Sequence, residues 1–185
     1  MSAPTDHKPR LAALDAPADA LIAKYPQKRS ACLPLLHMAQ ENLGWISNDV
    51  MEWVAAKIGV TPMQVYEVVT FYPMFKLQPI GKQHVRVCRT LSCALRGSYH
   101  TMEALEKEFG IKRGETTADG AVTLEFVECI AQCGPGPVVQ TSDALFENVA
   151  GDQKVGELVK HIRETVAADN IGKRPAALGS PEWNF

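Results

Sequence analysis

Four cysteines hold most of the chemistry this sequence can offer. Cys88 and Cys93 form a Cys-x4-Cys pair, and Cys129 and Cys133 form a Cys-x3-Cys pair thirty-five residues further on. The fifth cysteine, Cys32, stands far from both pairs. An odd count without an apolar secretory leader argues against a disulfide scaffold, so close thiol pairs point to metal or redox chemistry. The spacing leaves zinc open, because structural zinc sites use pairs separated by roughly two to four residues. A [2Fe–2S] cluster is the second candidate. It takes four thiolates, two on each iron, and is wider than a single ion, which suits the roomier loops here. The natural partition gives Cys88 and Cys93 to one iron and Cys129 and Cys133 to the other. The plant-type ferredoxin order is not matched, and no Cys-x2-Cys redox pair is present.

The neighbouring residues suit a cluster. Gly134-Pro135-Gly136-Pro137 follows Cys133 directly, and such a segment lets backbone approach closely while staying stiff. Backbone N–H groups in cysteine-bearing loops can donate to sulfur and tune its potential. Arg86, Arg89 and Arg96 flank the first pair. Positive charge there favours the reduced cluster; the alternative is that all three are solvated surface charges.

The elements that must position these residues read as follows. Residues 1–15 are rich in proline, alanine and charge without periodicity and are expected to form a mobile arm. Residues 16–80 read as a bundle of four amphipathic helices. Leu21, Ile22 and Tyr25 mark the first, which Pro26 closes. The second is capped by Ser30, carries Cys32, Leu35, Leu36, Ala39 and Leu43 on one face, and stops at Gly44. Ser47 caps a third helix through Val50, Trp53, Val54 and Ile58, ended by Gly59. Thr61-Pro62-Met63-Gln64 is a capping box opening a fourth, which runs to Pro73. Helices this short must pack together to be stable.

The period changes near Gly81, and residues 81–167 read as an α/β domain. His84 to Cys88 alternates as a strand, Met102, Leu105 and Phe109 mark a helix, and Ala121 to Cys129 is a second strand. Short strands over 138–140 and 145–149 and a helix through Val155, Leu158, Val159, Ile162 and Val166 complete it. The order β-α-β-β-β-α implies a parallel crossover followed by a hairpin, which is a thioredoxin-like layout. If the two cysteine-ended strands are parallel neighbours, both loops emerge at one sheet edge and the four thiols converge. Residues 168–185 read as an extended tail, where Trp183 and Phe185 suit either docking on a partner or disorder.

Composition narrows the function classes. The chain has 185 residues with 46% hydrophobic, 22% charged and a formal net charge of −2. That balance lacks the basic excess of a nucleic-acid surface, and no apolar run reaches the roughly 20 residues of a membrane helix. A cytosolic location is the expectation, a removed organelle-targeting segment being compatible with it. Cys32 is expected in the core. His37, His84, His100 and His161 show no ligand-like pairing, and Trp45, Trp53, Phe71, Tyr72 and Phe75 are expected to pack helices.

CRTLSC at 88–93, GETTADGAVTLEFVEC at 114–129, VECIAQCGPGPVVQ at 127–140 and VVTFYPMF at 68–75 resemble one family. It is the thioredoxin-like [2Fe–2S] subunit of respiratory complex I, the E subunit in bacteria, with similar subunits in NAD-linked hydrogenases and formate dehydrogenases. The resemblance covers about residues 17–167. It implies one [2Fe–2S] cluster on Cys88, Cys93, Cys129 and Cys133, and a role as a non-catalytic electron-transfer subunit of an NADH:quinone oxidoreductase. It also implies as partners an NADH- and FMN-binding subunit and an iron–sulfur subunit of the same complex, in a peripheral arm on the cytoplasmic side. NADH and FMN are expected on the partner, since this chain has no Gly-x-Gly-x-x-Gly fingerprint. The alternatives are the diaphorase subunit of a hydrogenase or formate dehydrogenase and, from another class, a zinc-stabilised interaction module.

Overall fold

The computed structural model describes residues 7–168. The tail with Trp183 and Phe185 and the first six residues of the expected arm lie outside the described residues. The chain divides into two compact units between Pro79 and Ile80.

The first unit is helical: α1 Lys8–Ala12, α2 Asp15–Ile22, a 3-10 turn Lys28–Ala31, α3 Cys32–Leu43, α4 Asn48–Ile58 and α5 Pro62–Phe71. Its core is a single cluster in which Leu35, Leu36, Ala39, Val50, Val54, Ile58, Val65 and Val69 meet. Each helix is short, so this shared burial is what stabilises it. Ser47 caps α4 by accepting from the Val50 N–H, and Thr61 and Gln64 form a reciprocal capping box on α5. Two expectations need correcting. Residues 8–12 are helical, not a mobile arm: Leu11 is buried, the buried His7 ring bonds Ser47 at 2.9 Å, and Lys8 pairs with Asp49. Ser30 does not cap α3; it lies in the 3-10 turn, and Ala31 holds the cap position without a side-chain bond. Cys32 is in the core, as expected, whereas Phe71 is exposed.

The second unit runs β1 Gln83–Cys88, α6 Leu91–Leu95, α7 Ser98–Phe109, β2 Val122–Val127, β3 Val139–Gln140, β4 Leu145–Phe146 and α8 Gly151–Ala167. The sheet order is β2-β1-β3-β4. β1 and β2 are parallel, with Cys88 opposite Val127; β3 is antiparallel to both β1 and β4. A parallel pair cannot be joined by a tight turn, so α6 and α7 make the crossover. Val85, Val87 and Leu124 pack with Met102 and Leu105 of α7 and Leu158 and Ile162 of α8 in one core. The pleat therefore turns His84, Arg86 and Glu125 to the other face; His84 and Glu125 are linked there at 2.7 Å.

Two details fix the register of this sheet. Where β1 begins, Gly81 donates its N–H to the Thr123 hydroxyl at 2.6 Å. A side chain at that position would put its Cβ 2.8 Å from the Val122 carbonyl carbon. At the same end, the turn between β3 and β4 is latched by Asp143. That carboxylate accepts from the Gln83 amide at 2.8 Å, bonds His161 of α8 at 2.8 Å, and accepts from Thr141 at 2.9 Å. Burial alone would push the Asp143 carboxyl up, but these hydrogen bonds and the neighbouring imidazole hold it below the ordinary carboxylate range.

Candidate functional site

The opposite end of the sheet carries the cysteines. Parallel pairing sends the C-terminal ends of β1 and β2 to one edge, the position where open α/β sheets bind their ligands. Cys88 is the last residue of β1. β2 stops at Val127, two residues before Cys129, and not at Cys129 as its apolar pattern suggested. The last tie between the strands is the Arg89 N–H to the Val127 carbonyl, at 3.0 Å. Cys93 lies on the short helix α6 and not in an irregular loop.

The two pairs differ in exposure. Cys88 and Cys93 are each 2% exposed and pack with Val138 and Ile130, whereas Cys129 and Cys133 are open to solvent. The Cys129 and Cys133 sulfurs are 3.7 Å apart. Two thiolates on one tetrahedral metal, each at about 2.3 Å, stand about 3.8 Å apart, so this pair already has the span of two ligands on one ion.

Polar hydrogens point at the sulfurs. The Ala131 N–H donates to Cys129 Sγ at 3.2 Å, from a residue in the left-handed region (φ 65°). A non-glycine residue there is strained, and such strain gathers at functional sites. Burial pushes the Cys88 thiol up. The Thr90 hydroxyl (3.2 Å from its sulfur), the Ile130 and Thr90 N–H groups and the Cys93 thiol outweigh that, so its thiolate is favoured. Cys93 is held up by burial, by its bond to Cys88 and by the charges of Cys88 and Cys133, against a bond from the Val138 N–H. Cys133 is raised chiefly by Cys129, with Cys88 adding to it. Cys133 thus couples the outer pair to the inner one, and the repulsion among these sulfurs is what a bound cationic iron centre would relieve.

The loops close tightly. A Cβ on Gly136 would stand 3.2 Å from Cys93 Sγ, so the Gly-Pro segment reaches the sulfur only because position 136 carries none. Arg96 donates to the Gly134 carbonyl at 2.7 Å, and Arg89 pairs with Glu128 at 2.5 Å, so each arginine ties the first cysteine loop to the second. Arg86 stays on β1, where burial lowers its pKa against the nearby Glu125 charge. The sequence pointed to the four cysteines and to the arginines as charges; it missed the partner of each arginine, because a bond between distant loops leaves no local pattern.

The donor set fits an iron–sulfur cluster: four soft thiols, N–H groups aimed at sulfur, and a glycine-lined wall. Among the described residues, no three His, Cys, Asp or Glu side chains converge closely enough to hold a single metal ion. Also among the described residues, no helix is long and apolar enough to cross a membrane.

The family described as thioredoxin-like [2Fe-2S] ferredoxin matches residues 18–163. The chain is 45% identical over 146 residues to the E subunit of NADH-quinone oxidoreductase of Rickettsia prowazekii (strain Madrid E), covering 77% of this chain and 82% of that protein. It is 38% identical over 161 residues to the NADH-quinone oxidoreductase E 2 subunit of Rhizobium meliloti (strain 1021), covering 87% and 95%. Among solved structures, an NAD+-reducing [NiFe]-hydrogenase in the air-oxidized state superposes with a TM-score of 0.64 at 16% identity. The match covers 80% of this chain but only 24% of the hydrogenase chain, and it speaks for the fold alone. With a cysteine-bearing edge of this geometry and relatives this similar over most of its length, the chain belongs to the thioredoxin-like [2Fe–2S] ferredoxin family, in the branch of the E subunits of NADH-quinone oxidoreductase.

Proposed function

We propose that Cys88, Cys93, Cys129 and Cys133 hold the one [2Fe–2S] cluster of this oxidoreductase subunit, the first two on the inner iron and the last two on the outer. The observation that carries this is the placement of both thiol pairs at one end of the sheet, with backbone N–H groups aimed at their sulfurs. When bound, the cluster takes up and gives back one electron at a time, which complements the two-electron hydride of NADH. The chain's own residues supply the ligands, exclude water from the inner pair, and donate from Ala131, Ile130, Val138 and Thr90 toward negative sulfur. Such donors stabilise the additional charge of the reduced state.

The chain works alongside other subunits of its complex. We further propose that these are an NADH- and FMN-binding subunit and an iron–sulfur subunit of an NADH:quinone oxidoreductase, in a peripheral arm on the cytoplasmic side. The names carried by its relatives support complex I over a soluble NAD-linked hydrogenase. Copurification of the native assembly separates the two, since both would use the same site.

Purified full-length chain tests the ligand set. We expect two iron and two acid-labile sulfide per chain and a rhombic EPR signal on reduction. Cys88→Ala and Cys129→Ala lose that signal, while Cys32→Ala, whose sulfur lies in the helical core, keeps it. Colourless protein with one zinc, or loss of the cluster from folded Cys32→Ala protein, sinks the assignment.

A further inference from the structure

Two arginines bridge the cysteine loops, and they differ electrically. Arg89 donates from Nε and Nη2 to Glu128 Oε1, at 2.9 and 2.5 Å, so its charge is met by a carboxylate. Arg96 donates from Nη1 to the Gly134 carbonyl, a neutral acceptor. No carboxylate of the described residues pairs with Arg96, so its positive charge stays uncompensated within the site.

Arg96 follows Cys93 by three residues, which puts both on one side of the α6 turn. Its own N–H closes that turn on the Cys93 carbonyl at 3.2 Å. Cys93 Sγ and Arg96 Cδ both border the space a Gly136 Cβ would fill, at 3.2 and 3.7 Å. The Arg96 stem thus runs along the wall beside the inner sulfur, and its guanidinium fastens the strap that follows Cys133.

We propose that Arg96 is a positioning residue of the cluster site: it clamps the Gly134–Pro137 strap against Cys93 and fixes a positive charge there that raises the reduction potential. The inference rests on the ligand assignment above. Reduction adds one negative charge, and a nearby cation favours the state that carries it. Because Arg96 is solvent-exposed, screening limits the effect to a few-fold change.

Full-length chain loaded with its cluster provides the test, through redox titration followed by EPR and through bleaching by a ferrous chelator. Arg96→Gln keeps a planar amide donor and loses the charge. Arg96→Lys keeps the charge and loses the fork. Arg96→Met loses both. We expect Arg96→Gln to lower the reduced-to-oxidised ratio at a fixed potential about threefold, or about 28 mV for a one-electron couple. Arg96→Lys should hold the wild-type potential but bleach faster, and Arg96→Met should show both defects. Should the methionine variant fail to fold, the other two still decide. A glutamine variant with wild-type potential overturns the charge role, as does a lysine variant shifted as far as glutamine. Wild-type bleaching in all variants overturns the clamp. Absence of a [2Fe–2S] signal from the wild-type chain would instead defeat the ligand assignment, so the two failures are distinct.

Discussion

Gly136→Ala is the sharpest probe of how closely the protein wraps its inner sulfur. The added Cβ would stand 3.2 Å from Cys93 Sγ and 3.6 Å from Cys93 Cα, whereas comfortable contact starts at about 3.5 Å. The sulfur must therefore retreat by a few tenths of an ångström. In the cluster-free chain it can do so by a small rotation, and the cost sits at the low end of overpacking, about 1 kcal/mol. Under the proposed ligand set, the same sulfur in the loaded chain is tethered to iron, where ligand distances tolerate only about 0.2 Å. The misfit then appears as weakened cluster retention. A penalty of about 1.4 kcal/mol corresponds to a tenfold loss of affinity. The assay is loss of visible absorbance from loaded full-length chain under excess ferrous chelator, beside thermal melts of the cluster-free chain. We expect about tenfold faster bleaching with a melting shift of no more than about 8 °C. Unchanged bleaching would refute the tethered-sulfur argument. A cluster-free melt that collapses would show that the defect is in the fold and not at the sulfur.

Two other positions make independent predictions. Gly81→Ala brings a Cβ to 2.8 Å from backbone carbon of Val122; neither strand can yield cheaply, so the α/β unit should lose at least about 1–3 kcal/mol, read as a lower denaturation midpoint with an unaltered EPR line shape in the fraction that folds. An equal midpoint would mean that β1 and β2 do not approach as described. Because the Asp143 carboxyl is held below its unfolded value, its contribution is complete above the ordinary carboxylate range, near pH 4, and is lost as pH falls through the lowered folded pKa. Asp143→Asn should therefore be less stable than wild type at pH 7 and converge with it in acid. Parallel stability curves for the two proteins from neutral pH into acid would contradict the latch.

What the sequence disclosed followed from local rules. Ser47 and the Thr61–Gln64 box announced helix starts because capping is a contact between near neighbours. Gly44 and Gly59 announced ends because both take a left-handed conformation there. The alternation around Val85 and Val87, and the crossover after it, placed both cysteine pairs at one edge. What stayed hidden was set by distant partners. Helix α1 has Leu11 as its one buried residue, too little for a periodic signal, and it is held by His7 on Ser47 and Lys8 on Asp49. Ser30 offered a capping side chain, but the chain entered α3 through a 3-10 turn that moved the cap to Ala31. Helix α6 is five residues long, below the length at which periodicity can be read. The exposure difference between the two cysteine pairs was invisible for the same reason, since Val138 and Ile130 cover the inner pair from far along the chain.

The pairing of β1 with β2 and β3 also bears on biosynthesis. Cys88 and Cys93 leave the ribosome well before Cys129 and Cys133, and the four come together only after the crossover closes and Val139 pairs with Val87. A slip of one residue in the parallel register would turn Cys88 toward the helices. Unlike the ligands of a zinc finger, which lie close together in the chain, these cysteines depend on a long-range crossover and strand pairing to reach one end of the sheet. An emerging chain passes through a stage in which its first thiol pair is already made and its second is still in the exit tunnel, and protection of that pair in the interval falls to the chain's surroundings.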